Sequence, residues 1–409
     1  MMRKPEILAP AGSLEKLITA IDFGADAVYL GGSKLNLRAF ADNFTTEDIE
    51  LGVKYAHDRG KKVYVTLNVF PHNDDIIGLE NYLKELESLR VDALIVSDPG
   101  IIMTAREVVP NLELHLSTQA NNVNWKSAMF WHSIGVKRIV LARELSLVEI
   151  EEIRKNIPSS CELEAFVHGS MCMSYSGRCL LSNYMTGRDA NRGACAQPCR
   201  YKYYLMEEKR PGEYFQVIED DKGSYIMNSK DLCMIEHIPE LVKSGIYSFK
   251  IEGRMKSSYY VAAVVKAYRQ AVDDYFEDPK NYKVDQSLIE MLMKVSHRDY
   301  HTGFYFDESN KQIYETSSYI RDYDIVGVVK HYDPLTNIVT VEQRNKVLKG
   351  DDLEVLSPYG NGVLVCVNNM TDELNNDIDS APRAQMIFKF HTTTSLKPKD
   401  MLIKSKGAK

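Results

Sequence analysis

One pattern constrains this chain more than any other: short β-branched or aromatic runs alternate with longer segments of helical period, and the alternation repeats eight times. The strand-like runs are "EILAP", "AVYLG", "KVYVTLN", "ALIVSD", "LELHLST", "RIVLAR", "LEAFVHG" and "SFKIEGR". Between them lie amphipathic stretches such as "SLEKLITAIDFG", "TTEDIELGVKYAHDRG", "GLENYLKELESLR" and "SLVEIEEIRKNI". Several open on Ser or Thr, whose side chain can accept from the free N–H groups of a first helical turn, and close on Gly, which tolerates the left-handed turn after a helix. Eight strand–helix units in this order predict an α/β fold, a closed (β/α)8 barrel of TIM type over residues 1–276. An open doubly wound sheet fits less well, since no dinucleotide glycine fingerprint follows a strand.

The seventh and eighth units are separated by a Cys-rich insertion, 170–230, far longer than the few residues such a loop usually takes. Loops that follow barrel strands build the active-site face, so this one is expected over the barrel mouth. After the cysteines it reads as a hairpin of "YKYYLMEE" with "YFQVIEDDKGSYIMN", and "SKDLCMIEHIPELVKSG" reads as a capped helix. Residues 277–323 are polar and tyrosine-rich and read as a connector. From 324 to 409 the period changes to short strands with turn signals, "DIVGVVKHYD", "NIVTVEQRN", "DDLEVLSPYGNG", "RAQMIFKFH" and "DMLIK", which predicts a small C-terminal all-β barrel domain. A chain of 409 residues, 44% of them hydrophobic, can bury two such cores.

No apolar run approaches the ~20 residues of a spanning helix, and "MMRKPEILAPAGSLEK" breaks into charge and turn residues too early for a signal peptide. The expectation is a cytoplasmic protein with no membrane partner. In that reducing compartment clustered thiols bind metal or do redox chemistry rather than form disulfides. The formal net charge of −7 argues against a generally basic nucleic-acid-binding surface. Locally the balance reverses, because Arg178, Arg188, Arg192, Arg200 and Lys202 face the single acid Asp189.

Polar residues at barrel strand ends are the natural candidates for chemistry. Here they are Asn68, Asp98, Gln119, Arg143 with Glu144, His168, and Glu252 with Arg254, with Glu164 and Lys250 one pleat further in. His168, Glu164 and Glu252 are the acid–base candidates. Arg143 and Arg254, with Lys250, Gln119 and Arg192 beside them, are the substrate-binding candidates, because two fixed guanidiniums facing one cavity suit a small dianion. Each has a plainer alternative: Asn68 and Asp98 suit caps and turns, His168 suits a hydrogen-bonded core position, and the Arg–Glu pairs can satisfy one another across the mouth.

Of the seven cysteines, Cys161 and Cys366 sit in strand-like contexts and read as core. Cys172, Cys179, Cys195, Cys199 and Cys233 remain. Zinc sites favour shorter, repeated spacings, whereas an iron–sulfur cluster needs only four thiolates brought to its corners. The spacing therefore favours a cluster on Cys172, Cys179, Cys195 and Cys233, with Cys199 as substitute in the later pair, ahead of zinc and of a redox dithiol.

"EAFVHGSMCMSYSGRCLLS", "NRGACAQPCRYKY", "NSKDL" and "FKIEGRMKSSYYVA", with "EILAPAGS" and "DAVYLGG" before them and "HTGF" after, resemble the signatures of the collagenase-like peptidase family thirty-two of the U type. The terminal "VVKHYDPLTNIVTVEQRN", "GDDLEVLSP" and "LKPKDMLIK" are similar to that family's translation-factor-like C-terminal domain. The likeness covers nearly the whole chain. The peptidase label finds no support in Gly-x-Ser-x-Gly or His-Glu-x-x-His motifs. The resemblance is to the branch implicated in prephenate-dependent hydroxylation of wobble uridine in tRNA to 5-hydroxyuridine; relatives act on rRNA cytidine or on quinones. It implies a [4Fe–4S] cluster, prephenate as co-substrate, tRNA as partner, and, as for relatives that work in pairs, a homologous partner subunit. Cys172, Cys179 and Cys233 match the ligand pattern, while "CAQPC" leaves Cys195 or Cys199 for the remaining place.

Overall fold

In the computed structural model, residues 3–406 are described apart from 36–42, 173–174, 176–178, 201–203, 206–208, 210, 213–214, 217–227, 307–311, 314–318 and 361. All eight expected strands form. Seven are β1 (Glu6–Pro10), β2 (Ala27–Leu30), β3 (Lys62–Leu67), β4 (Ala93–Val96), β5 (Glu113–Leu116), β6 (Arg138–Val140) and β7 (Glu162–Ser170). A short strand, β8 (Asp231–Cys233), then precedes the eighth barrel strand, β9 (Ser248–Ile251). Each barrel strand pairs in parallel with its neighbour, and β9 closes the ring by pairing with both β1 (Glu6↔Ser248) and β7 (Glu164↔Ser248).

Local sequence explains the helices between them. Ser13 accepts from the backbone of Lys16 at the start of Leu14–Asp22, and Thr45 and Ser146 complete reciprocal capping boxes with Asp48 and Glu149. The helix Ser258–Glu277 buries Tyr260, Val264, Tyr268 and Val272. Because helices cover the sheet outside and side chains fill it inside, the strands read as nearly unbroken apolar runs. Leu8, Ala27, Tyr29, Tyr64, Ala93 and Ile95 form one buried cluster of the barrel.

The insertion departs from expectation at its C-terminal end. The stretch expected as one capped helix is instead strand β8, a 3-10 turn at Ile235–His237 and a short helix, Ile238–Lys243, with no side-chain cap. The cause lies in β7, which runs on to Ser170 and offers a free edge; β8 pairs antiparallel with it (Asp231↔Ser170, Cys233↔His168), and β10 (Tyr300–His301) pairs with β8. Of the expected hairpin, Tyr204–Leu205 pairs with Phe215–Gln216, and most of the remainder lies outside the described residues.

The chain divides into two units, and the expected connector is not a separate linker. Unit one holds residues 1–286 and 297–319; unit two holds 287–296 and 320–409. The 287–296 segment of unit two carries most of the helix Gln286–Met293, and the unit's C-terminal stretch is all-β, as expected. Its strands β11 (Tyr323–Asp333), β12 (Ile338–Gln343), β13 (Asp352–Leu356), β14 (Leu364–Cys366), β15 (Asn368–Asp372), β16 (Ile387–His391) and β17 (Met401–Ser405) form one antiparallel sheet in the order β14-β13-β17-β11-β12-β16-β15. Register shifts in β11 bend the sheet, which curls around a core including Val329, Val341, Phe388, Phe390 and Leu402. Cys366, expected in a core, is half-buried in strand β14, which ends the sheet order.

Candidate active site at the barrel mouth

The barrel interior carries an ionic tier on β1, β6, β7 and β9. Glu164 is fully buried, with Oε1 2.7 Å from Lys250 Nζ and Oε2 3.1 Å from Arg138 Nη1. Arg138 also binds Glu6 at 2.6 Å and Glu162 at 3.0 Å, and Tyr64 donates to Glu6. Burial alone would raise the Glu164 carboxyl, but Lys250 and Arg138 overcome it and hold the group at about 2. Two candidates are thereby corrected. Glu164 stays ionised at neutral pH with both oxygens occupied, so it has no proton to deliver. Lys250, 4% exposed, is the partner of Glu164 and lies over the ring of Tyr29 at 4.5 Å; it is not a free cation at the mouth.

Above this tier, residues after the strands line the C-terminal face. Arg254 is 5% exposed, and its Nη2 donates to Asn43 Oδ1 at 3.2 Å. Glu252 accepts from the Tyr29 hydroxyl at 3.3 Å, and the same hydroxyl lies 3.0 Å from the Ile251 carbonyl. Arg143 donates through Nη1 to the Ser170 carbonyl at 3.0 Å and places Nη2 3.5 Å from Cys172 Sγ. Burial works against its charge, yet Cys172, Glu252 and Glu144 together raise its pKa, while burial raises that of Glu144. Gln119 is buried in the turn Thr118–Ala120 after β5. Asn68 donates to Ser117 Oγ at 3.2 Å, and Asp98 caps the helix Pro99–Val108 by accepting from Gly100 and Ile101. For Asp98 the plainer alternative is therefore the correct one. Tyr29 and Asn43 escape sequence reading: "AVYLG" presents Tyr29 as an ordinary core aromatic, and Asn43 itself stands in no helix or strand.

His168 is corrected as well. It is 1% exposed, with its ring near those of Tyr260 (5.9 Å), Tyr268 (5.5 Å) and Tyr300 (5.3 Å), and its Nδ1 lies 3.5 Å from the Tyr268 hydroxyl. Burial, then Lys256 and His297, push its pKa down to about 3. The ring is thus neutral and enclosed in the wall by tyrosines, with Nε2 buried and without a hydrogen-bond partner among the described residues. His168→Phe is accordingly expected to preserve turnover while changing the melting temperature by only a few degrees; loss of activity in a folded variant would restore it as an acid–base group.

The insertion is fastened to the mouth. Arg192 Nη2 lies 3.0 Å from both carboxylate oxygens of Asp75, and the Phe70 N–H points to the Asn191 carbonyl at 3.4 Å, both partners belonging to the segment after β3. Arg192 thus ties the insertion to the segment after β3 through an ion pair that leaves its side chain partly exposed. Tyr184 is 89% and Tyr175 48% exposed, while Arg188 donates to the Ala194 carbonyl. Arg178, Lys202 and the side chain of Arg200 fall outside the described residues.

All seven thiols are uncrosslinked; Cys161 is buried, Cys172 exposed, and Cys179, Cys195, Cys199 and Cys233 half-buried. Cys172 lies just past the end of β7, and Cys233, on β8, is paired back onto that strand opposite His168. Burial pushes the Cys233 thiol up to about 11, and the Tyr268 hydroxyl lies 4.0 Å from it. Cys172 and Cys233 thus flank one strand end, with Cys179 and Cys195 in the insertion between them, and thiols are the donor type that an iron–sulfur cluster takes. Among the described residues, no three His, Cys, Asp or Glu side chains already stand together as a metal site.

Residues 12–315 match Peptidase family U32, and residues 321–402 match the Peptidase family U32 C-terminal domain. The chain is 45% identical over 406 residues to "tRNA hydroxylation protein P1" of Bacillus subtilis, covering 99% of this chain and 96% of that protein. It is 41% identical over 402 residues to "tRNA hydroxylation protein P" of Escherichia coli, covering 88% of each. A protein of Porphyromonas gingivalis called "Collagenase" is 36% identical over 313 residues, covering 74% of each. Among the described residues no helix is long and apolar enough to cross a membrane.

Proposed function

The chain belongs to Peptidase family U32, and from that premise we propose that it hydroxylates tRNA, converting wobble uridine to 5-hydroxyuridine with prephenate as co-substrate. The observation that carries the reading is likeness over almost the full length to relatives named for tRNA hydroxylation, joined to a cysteine-bearing insertion fastened across the barrel mouth. Cys172, Cys179, Cys195 and Cys233 would hold a [4Fe–4S] cluster, which when bound supplies one-electron redox chemistry. The chain's own residues bind and orient. Arg254 and Arg143 hold the two carboxylates of prephenate, guanidiniums being suited to carboxylates by paired hydrogen bonds. The exposed ring of Tyr184 gives an unstacked base a stacking platform, and the cationic stretch around Arg188 meets phosphate. Taking the base out of its stack is what chemistry on a base requires.

The name of the Porphyromonas relative favours a second reading, peptide hydrolysis. Against it, both oxygens of Glu164 are taken by Lys250 and Arg138, and burial holds the imidazole of His168 at about 3, so neither is a strong base for a nucleophile. The test is nucleoside analysis of tRNA from cells lacking the gene. The expected result is loss of 5-hydroxyuridine and the nucleosides made from it, with rRNA and quinone pools unchanged. Unaltered wobble uridines would overturn the proposal.

A further inference from the structure

Arg254 sits in a socket made by glycines from separate strand ends. A Cβ built on Gly31, which follows β2, would lie 2.4 Å from Arg254 Nη2, 2.8 Å from Nη1 and 2.9 Å from Cζ. A Cβ on Gly12, just beyond β1, would lie 2.1 Å from the Arg254 carbonyl oxygen. Gly253 itself has φ +152°, in the left-handed region, and a Cβ there would lie 2.6 Å from the Tyr260 ring. The backbone contact at Gly12 and the turn at Gly253 fix where the arginine starts. Gly31 leaves the space into which its guanidinium is laid, with Asn43 Oδ1 at 3.2 Å as a polar stop.

We infer that Gly31 is a positioning residue for carboxylate binding: the missing side chain just after β2 sets where the Arg254 guanidinium points, and through it the affinity for a dicarboxylate ligand. The inference rests on the reading of Arg254 as a carboxylate clamp. Gly31 shows no positive φ, so Ala is compatible with its backbone, and the atoms that a methyl group would meet are the far end of a long side chain. The substitution therefore moves a charge and leaves the barrel standing. Gly12 differs, because there the obstacle is backbone and Ala would push β1 and the loop after β9 apart.

The experiment is isothermal titration of prephenate, two carboxylates, and phenylpyruvate, one, into wild type, Gly31→Ala, Arg254→Ala and the double variant, each checked for an unchanged melting curve. Gly31→Ala is expected to weaken prephenate by about ten-fold or more, the order of effect of losing a hydrogen bond to a charged group, and phenylpyruvate by less. In the Arg254→Ala background the same substitution is expected to have no further effect, since its route has been removed. Additive losses, or a Gly31→Ala variant that binds as wild type while Arg254→Ala does not, overturn the inference alone. An Arg254→Ala protein that binds prephenate normally overturns the reading beneath it.

Discussion

Lys250→Met is expected to cost about 3–5 kcal/mol of folding stability in urea or thermal unfolding, because it removes one partner of an ion pair sealed inside the barrel. Glu164 is fully buried and Lys250 nearly so, 2.7 Å apart, and water cannot take the place of the missing ammonium. Arg138 would still face Glu164, but it is already shared with Glu6 and Glu162. Adding Glu164→Gln should recover most of the loss, since the stranded charge goes too and Gln can still accept from Arg138. The same pair dictates an acid limb. The Glu164 carboxyl is held at about 2 when folded, below the ~4.3 of an ordinary glutamate. A depressed carboxyl contributes its full stability above the ordinary value and loses it as pH falls through the folded one. The stability difference between wild type and Glu164→Gln should thus be flat from pH 7 to 5, shrink below ~4.3 and vanish by about 2. A Lys250→Met protein within ~1 kcal/mol of wild type would mean that the tier is hydrated and the pair screened.

Cys172→Ser is expected to reduce 5-hydroxyuridine in tRNA to the level of cells lacking the gene, and to lower iron and sulfide in anaerobically purified protein. The fold and tRNA affinity should be retained, because the thiol is exposed and is not part of a core. A broad brown visible absorbance in the wild type, weakened in the variant, separates iron from zinc. Cys179→Ser and Cys233→Ser should behave alike, and comparison of Cys195→Ser with Cys199→Ser decides the remaining ligand, with Cys195 expected to be the damaging one. Full iron with full modification would end the cluster assignment. Full iron without modification would instead point to the contact of Cys172 with Arg143, and so to substrate positioning.

The parts of this protein that were readable in the linear chain are those set by local physics. Strand runs such as "KVYVTLN", helix caps at Ser13, Thr45 and Ser146, and the order of eight units determined a closed barrel, because caps and periodicity act within a few residues and parallel neighbours need the helices between them. The change of period after the connector likewise announced an all-β C-terminal stretch. Tertiary structure alone decided which polar strand-end residues face a ligand and which face one another. Glu164, Lys250, His168 and Arg254 look equivalent in sequence; the first two neutralise each other, the third is enclosed by tyrosines, and the fourth is laid into a glycine socket. The edge of β7 turned an expected helix into strand β8, placing Cys233 beside the barrel wall. Such outcomes depend on contacts between residues more than two hundred positions apart, as in Arg254 with Asn43, and no periodicity or composition in one segment records what another segment brings to it.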